Sequence, residues 1–379
     1  MFILFLSVSR YTVKNKLMFK TSEGDEVQKM KESFDHHNHL PVSKIGIGCW
    51  AFGGGEYWGE QNQQDVDAVV RSAIDAGITL FDTARMYNDG ASEQSLGKAL
   101  RGIRDKAIIC SKVSPAKAYY KSLIEECDRS LKSLGTDYID VYMLHWPLCP
   151  KSLQHFTDDP AVIANPPISE EAFSALLQLK KEGKIRKIGV SNYGVTQLKD
   201  ALAICPEIEV NELSYNILSR AIEAELVPLC HEKDIQIISS MTLQQGILAG
   251  IYRSAEEVPP HQAHSRHFAD IRGKGTSRHG EPGVEKEMFY VVDLLHKLAE
   301  KLNITVAQLS IAWVLHKKFI SSALIGCRNT EELSCNLEAL KICLPEDVVK
   351  QIDDASLPIW NKLGNSPDYY ENLNESRIF

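Results

Sequence analysis

The sequence predicts a single (β/α)8 barrel, a TIM barrel with long loops on its C-terminal face. Three observations predict it. Strand-like and helix-like segments alternate eight times between residues 40 and 340. The polar residues Asp82, Lys112 and His145 close three successive apolar strands, as residues on the C-terminal rim of such a barrel do. The competing architecture, an open doubly wound sheet, requires a G-x-G-x-x-G turn between its first strand and a helix. Here Gly53, Gly54 and Gly55 run into Glu56, Tyr57, Trp58 and Gly59, which lacks that spacing.

The first strand is expected over residues 42–48, with the glycine-rich loop behind it. Asn62 is a candidate cap for a helix that buries Val66, Val69, Val70, Ala73 and Ile74, at i, i+3, i+4, i+7 and i+8, and stops at Gly77. A second strand, 80–84, puts Asp82 at its C-terminal end; Tyr87 opens the next loop, which turns helical at Ser92. The third strand, 107–111, delivers Lys112. A helix marked by Tyr120, Leu123, Ile124, Cys127, Leu131 and Leu134 ends at Gly135, and the fourth strand, 138–144, delivers His145.

A proline-rich loop over 146–168 is longer than a βα connection needs and is expected to be functional. Helices over 169–182, 195–204 and 221–233 alternate with strands over 187–190, 209–213 and 235–239. A second long loop fills 243–283 before helices over 286–302 and 305–316 and a last strand over 322–325. Asn329 or Thr330 caps the closing helix through 340, and a further helix covers 345–356. The expected organisation is a disordered leader over 1–39, a barrel over 40–356 and an irregular tail over 357–379. Met18 and Met30 are alternative starts, because fold signals begin only near His39.

The chain has 379 residues and a net charge of −8, enough for one large core and against nucleic acid or an anionic membrane as partner. Its nine cysteines stand singly with no CxxC pair, which reads as thiols in a reducing, cytoplasmic compartment. No apolar run approaches the ~20 residues of a membrane helix.

Asp82, Tyr87, Lys112 and His145 make chemical sense together. A tyrosine hydroxyl is a weak acid, and a nearby ammonium favours its phenolate and eases proton transfer. A lysine charged in a desolvated site requires a carboxylate, which Asp82 supplies. His145 donates to or orients a substrate oxygen. The four deliver a proton to a carbonyl oxygen while hydride arrives from a nicotinamide or similar cofactor. A hydrolase built on paired acids is disfavoured, because no second carboxylate is evident beside Asp82.

The local words Gly46-Ile47-Gly48-Cys49-Trp50, Phe81-Asp82-Thr83-Ala84 with Tyr87, Ser111-Lys112, Asp140 through Pro147 and Gly189-Val190-Ser191-Asn192 resemble the aldo-keto reductase family. The His145-Trp146-Pro147 word is similar to the branch of potassium-channel β subunits and bacterial sugar or polyol oxidoreductases. The resemblance implies Asp82, Tyr87, Lys112 and His145 as the catalytic tetrad, with Tyr87 the general acid, and a cofactor bound across the barrel mouth. It assigns Cys49, Trp50, Ser191, Asn192, Glu212, Ser240, Leu243, Gly246, Gly326, Arg328, Glu332 and Asn336 to the cofactor.

Two of these depart from the family pattern: Glu212 stands where a glutamine is usual, and Ser240 where an aromatic ring stacks under the nicotinamide. Arg328 at a helix start suits a 2′-phosphate, so NADP(H) is expected over NAD(H). Trp50, Tyr57, Trp58 and Trp146 are expected to wall the substrate pocket. His261, His264 and His267 have H-x-x-H-x-x-H spacing, but no Cys or Asp completes a set, and no metal is expected. The resulting expectation is a carbonyl or alcohol oxidoreductase acting on a small molecule; the alternative is a cofactor-binding, redox-sensing regulatory subunit.

Overall fold

The computed structural model describes residues 39–379. The leader expected over 1–39, with the starts at Met18 and Met30, lies outside the described residues but for His39. Eight strands close in sequence order: β1 (Ile45–Gly48), β2 (Leu80–Asp82), β3 (Ile108–Val113), β4 (Ile139–Leu144), β5 (Ile185–Ser191), β6 (Ile208–Ser214), β7 (Gln236–Ser240) and β8 (Ile320–Ile325). Neighbours are parallel throughout, and β1 closes on β8 with Gly46 opposite Leu324.

Parallel neighbours require crossover connections. The α-helices of the described residues are α1 (Gln63–Asp75), α2 (Ala91–Ala99), α3 (Tyr120–Leu134), α4 (Pro150–Leu153), α5 (Pro160–Ala164), α6 (Ser169–Lys181), α7 (Val195–Ile204), α8 (Leu226–Glu232), α9 (Glu285–Leu302), α10 (Val306–His316), α11 (Thr330–Leu337) and α12 (Glu346–Leu363). The expected caps are in place: Asn62 accepts from the Gln64 amide, and Asn329, rather than Thr330, accepts from the Glu332 amide. Gly135 ends α3 at φ 65°, returning its N–H to Leu131 and Lys132. The apolar face of α1 is buried as its spacing requires.

Three expectations change. The helix expected over 221–233 splits into a 3-10 turn, Ala221–Glu223, and α8, because Pro228 has no amide to donate and tolerates only a first helical turn. The loop over 146–168 contains α4 and α5, each with proline in its first turn. The helix expected over 345–356 does not stop at 356. Helix α12 runs through Pro358, which forfeits only the bond to the carbonyl of exposed Asp354, and buried Ile359 holds the helix on the core.

The stretch beyond α12 is irregular but belongs to the same unit, Pro41–Phe379. Its anchor is a buried pair in which the Arg377 guanidinium donates to the Asp368 carboxylate at 2.7 and 3.0 Å. At the opposite end of β4 from His145, buried Asp140 accepts from the Ile109 amide and from Arg104 and Arg186. That carboxylate ties strands and loops at the N-terminal face, where a barrel is stabilised. Among the described residues, no helix is long and apolar enough to cross a membrane.

Candidate active site

The strand register sets the depth of each polar side chain. β2 ends at Asp82, whereas β3 continues to Val113, so Lys112 lies within the strand and is fully buried. Its ammonium donates to the Asp82 carboxylate and, at 3.1 Å, to the carbonyl of Thr83. His145 follows β4, and its amide donates to the Val113 carbonyl at 3.0 Å. Tyr87 begins a 3-10 turn, Tyr87–Gly90. Its ring centre is 5.3 Å from the Lys112 nitrogen and 5.5 Å from the His145 ring, which meets it edge-on at 71°. The four residues therefore converge on one point of the rim.

Glu212, on β6, supplies a second carboxylate to this point. It is buried, and its Oε2 lies 3.2 Å from the Lys112 nitrogen. The expectation that no second carboxylate stands beside Asp82 is thus wrong. The spacing of β2 and β6 in sequence hid the pairing, which exists only because barrel closure brings both strands around Lys112. The contact is an ion pair outside hydrogen-bond geometry, and Oε2 has no hydrogen-bond partner in the protein.

The charges shift every neighbour. Burial alone would depress Lys112, but Asp82, Glu212 and Tyr87 hold it well above its ordinary value. Burial, then Glu212, pushes Asp82 well up against the opposing pull of Lys112. Tyr87 is also raised: burial outweighs the lowering by Lys112, and Asp82 and Glu212 add to the rise. The expectation that Lys112 favours the phenolate therefore gives its sign alone; the net effect keeps the hydroxyl protonated. Burial and the Lys112 charge drive His145 well below 6.5, so its ring is neutral at physiological pH, with Nδ1 unpartnered.

Backbone strain gathers on the same rim. Asn88, Asp89, Asn192, Met241, Gln244 and Gln245 all have φ between 49° and 62°, in loops after β2, β5 and β7. Asn88 uses its conformation to donate to the carbonyls of Trp50 (2.8 Å) and Phe52 (3.1 Å), fixing the β1 loop over Tyr87. Trp50 stacks on Tyr87 at 5.7 Å and on Tyr57 at 5.2 Å, with Trp58 edge-on to Trp50. Asn88 was invisible as a functional residue in the sequence, where N-D-G signals only a turn.

Trp146 lies apart from that cluster, under the Arg377 guanidinium at 3.8 Å and near Phe156. His264 stacks on Tyr370 of the tail, and His261 and His264 both meet Tyr57 edge-on. His267 is buried elsewhere, its Nε2 donating to the Leu218 carbonyl at 2.9 Å and its Nδ1 accepting from Gln244 Nε2 at 3.2 Å. The histidine triplet is thus dispersed. Tyr57 Oη, Trp58 Nε1, Gln245 Nε2 and His264 Nδ1 are buried without hydrogen-bond partners.

Among the residues assigned to a cofactor, Ser191 and Asn192 follow one another at the end of β5; Asn192 Nδ2 donates to the His145 carbonyl and to Ser191 Oγ, both at 3.1 Å. Ser240 closes β7, and Leu243 and Gly246 belong to the strained turn behind it. Gly326 faces open space, and Arg328 is exposed at the start of α11. Arg328 donates to the Glu60 carbonyl at 2.6 Å and to Gln61 at 3.1 Å, clasping the β1 loop. Glu332 accepts from the Arg328 amide at 2.9 Å, so its carboxylate already occupies part of that helix N-terminus. The Cys49 thiol is fully buried and donates to the Ile47 carbonyl. Asn336 is buried on α11, where it donates to the Cys327 sulfur.

Comparison with known proteins is consistent across three sources. A model described as the aldo/keto reductase family matches residues 44–357. The NADH-specific methylglyoxal reductase of Escherichia coli (strain K12) is 32% identical over 331 residues, 81% of this chain and 92% of the relative. Aldo-keto reductase YhdN of Bacillus subtilis (strain 168) is 32% identical, covering 83% and 90% of the two chains. Among solved structures, an aldo-keto reductase from Klebsiella pneumoniae in complex with NADPH superposes with a TM-score of 0.62 at 28% identity, over 83% of this chain and 90% of the other.

Proposed function

The chain belongs to the aldo/keto reductase family, and from that premise we propose that it interconverts a small aldehyde or ketone and its alcohol, with Tyr87 passing the oxygen's proton. The observation that carries this reading is the convergence of Tyr87, His145 and the buried Lys112–Asp82 pair on one point of the rim.

A nicotinamide, when bound, supplies the hydride that no side chain can. The residues fit such a group: Glu212 Oε2 is a buried acceptor that pairs with Lys112 but has no hydrogen-bond partner in the protein, Gly326 leaves its surroundings open, and Arg328 stands at a helix N-terminus. In the reductive direction the Tyr87 hydroxyl gives its proton to the carbonyl oxygen. The Lys112 ammonium stabilises the phenolate left behind, and Asp82 keeps that ammonium charged. His145, neutral and without a partner on Nδ1, is free to orient the carbonyl by hydrogen bonding. Alcohol oxidation runs the same proton path backwards. The aromatic side chains Trp50, Tyr57 and Trp58, clustered against Tyr87, supply apolar walls for the substrate.

Methylglyoxal, named for the Escherichia coli relative, is the first substrate to try. The scattered cysteines, nine free thiols of which six are buried, fit a cytoplasmic protein. Arg328 favours NADP(H), although the relative's name specifies NADH and Glu332 opposes a nearby phosphate. The test is quenching of tryptophan fluorescence by NADPH and NADH, in the wild type and in Arg328→Ala. The variant should lose about tenfold in NADPH affinity, the scale of a charge-assisted hydrogen bond, with NADH little changed. Equal losses for both cofactors would remove Arg328 from phosphate recognition, and no binding of either would defeat the functional reading.

A further inference from the structure

We propose that Asn88 is a positioning residue for the carbonyl substrate: its side-chain amide ties the aromatic wall of the β1 loop to the segment that carries Tyr87. The inference rests on the functional reading above, which leaves Asn88 without a role.

Tyr87 is followed by Asn88 (φ 50°, ψ 45°), Asp89 (φ 53°, ψ 35°) and Gly90 (φ 87°), three consecutive residues in the left-handed region. That conformation costs any residue but glycine, and asparagine tolerates it better than most. A glycine at 88 would reach it without strain. What a glycine could not supply is the side-chain amide.

Both ends of that amide face the β1 loop. Nδ2 donates to the carbonyls of Trp50 (2.8 Å) and Phe52 (3.1 Å), which commits both of its hydrogens. Oδ1 lies against Gly55, where a Cβ would stand only 2.5 Å from it. Ser92, farther along the same segment, donates from Oγ to the Cys49 carbonyl at 2.7 Å. The β1-loop carbonyls at 49, 50 and 52 are thus held by side chains that follow Tyr87 in the chain.

What these bonds place is the aromatic cluster. Trp50 lies against Tyr87 at 5.7 Å and against Tyr57 at 5.2 Å, and Trp58 meets both Trp50 and Tyr57 edge-on. The far end of the loop is clasped separately, by Arg328 on Glu60 and Gln61. The loop therefore has two clasps: Arg328 on the side read as the phosphate site, and Asn88 on the side of the general acid. The Asn88 side chain makes no hydrogen bond to Asp82, Lys112 or His145, the groups that set the Tyr87 proton. Losing its amide loosens the wall that the substrate binds against and leaves the proton-transfer groups in place. The cost falls on KM rather than on kcat.

The experiment is steady-state kinetics with methylglyoxal and with 4-nitrobenzaldehyde at saturating NADPH, beside a fluorescence titration with NADPH. Asn88→Gly keeps the turn and deletes the amide; Asn88→Asp keeps the shape and sets a carboxylate against two carbonyls. Each should raise the KM of every aldehyde that the wild type reduces by about fivefold or more, with kcat and the NADPH dissociation constant within about threefold. Both should also weaken the near-UV circular dichroism of the aromatic cluster. Gly55→Ala pushes on the same amide from the β1 side; it should raise KM as well, and should add less in Asn88→Gly than in the wild type. An unchanged KM in Asn88→Gly means that the residue serves only the turn, and overturns the proposal. An equal loss in kcat and in NADPH affinity, as a general structural role would give, overturns it too. If neither Asn88 variant folds, an unchanged KM in Gly55→Ala does the same. A wild type that binds NADPH and reduces neither aldehyde instead defeats the functional reading on which the proposal stands.

Discussion

Tyr87→Phe is expected to lower turnover by at least about a hundredfold while leaving cofactor affinity within a factor of about two to three. The substitution removes one oxygen and keeps the ring that stacks against Trp50 and meets His145 edge-on. What disappears is the acid itself. The hydroxyl's raised affinity for its proton keeps it in the donating form at neutral pH. Burial contributes most of that rise, and Lys112 opposes it. His145 cannot substitute, because its ring is neutral and a poorly matched acid for a carbonyl oxygen. Steady-state kinetics with methylglyoxal, beside a fluorescence titration of the same sample, separates the two effects. Ordinary turnover in the variant would remove Tyr87 from proton transfer.

Lys112→Met should be the more damaging change to the fold. Its methylenes keep much of the packing, but the variant leaves Asp82 and Glu212 facing one another with no cation between them. Breaking a buried ion pair from one side costs about 3–5 kcal/mol, because the remaining charge is buried and uncompensated. The pH dependence has a definite sign. Asp82 already holds its proton more tightly in the fold than in the unfolded chain, through burial and Glu212, and loss of Lys112 strengthens that tendency. A carboxyl with a raised native pKa destabilises the fold increasingly as pH climbs above its unfolded value of about 4. The deficit relative to wild type should therefore be smaller at pH 5 than at pH 8, by urea denaturation. Adding Glu212→Gln to Lys112→Met should recover part of the loss at pH 8, and a deficit insensitive to both changes would mean the cluster is not ionised as described.

Much of the fold is legible in the sequence. Alternating apolar strands and amphipathic helices point to a parallel α/β fold, and the missing G-x-G-x-x-G turn after the first strand favours the barrel over the open sheet. Asn62, Gly135 and Asn329 mark helix ends through local chemistry alone. Prolines misled at two points, since Pro228 breaks a helix that the pattern carried through and Pro358 fails to break one. Their effect depends on whether a lost amide bond is offset by burial, which is a tertiary matter.

The same limit applies at the site. Asp82, Lys112 and His145 were legible because strand ends are a local property. Glu212 was visible as a residue but not as a neighbour of Lys112, since β3 and β6 are joined only through the barrel's interior. Asn88 and the tail residues Tyr370 and Arg377 act across loops, where no periodicity reports contact.

The most direct measurement is absorbance at 340 nm for purified wild-type protein mixed with NADPH and then with excess methylglyoxal, under single-turnover conditions. The expected result is stable absorbance until the carbonyl is added, followed by its loss to completion as the bound reduced cofactor is consumed. If cofactor binds but the absorbance holds across a panel of aldehydes, ketones and, with NADP+, alcohols, the barrel is a cofactor-reading regulatory module rather than an enzyme.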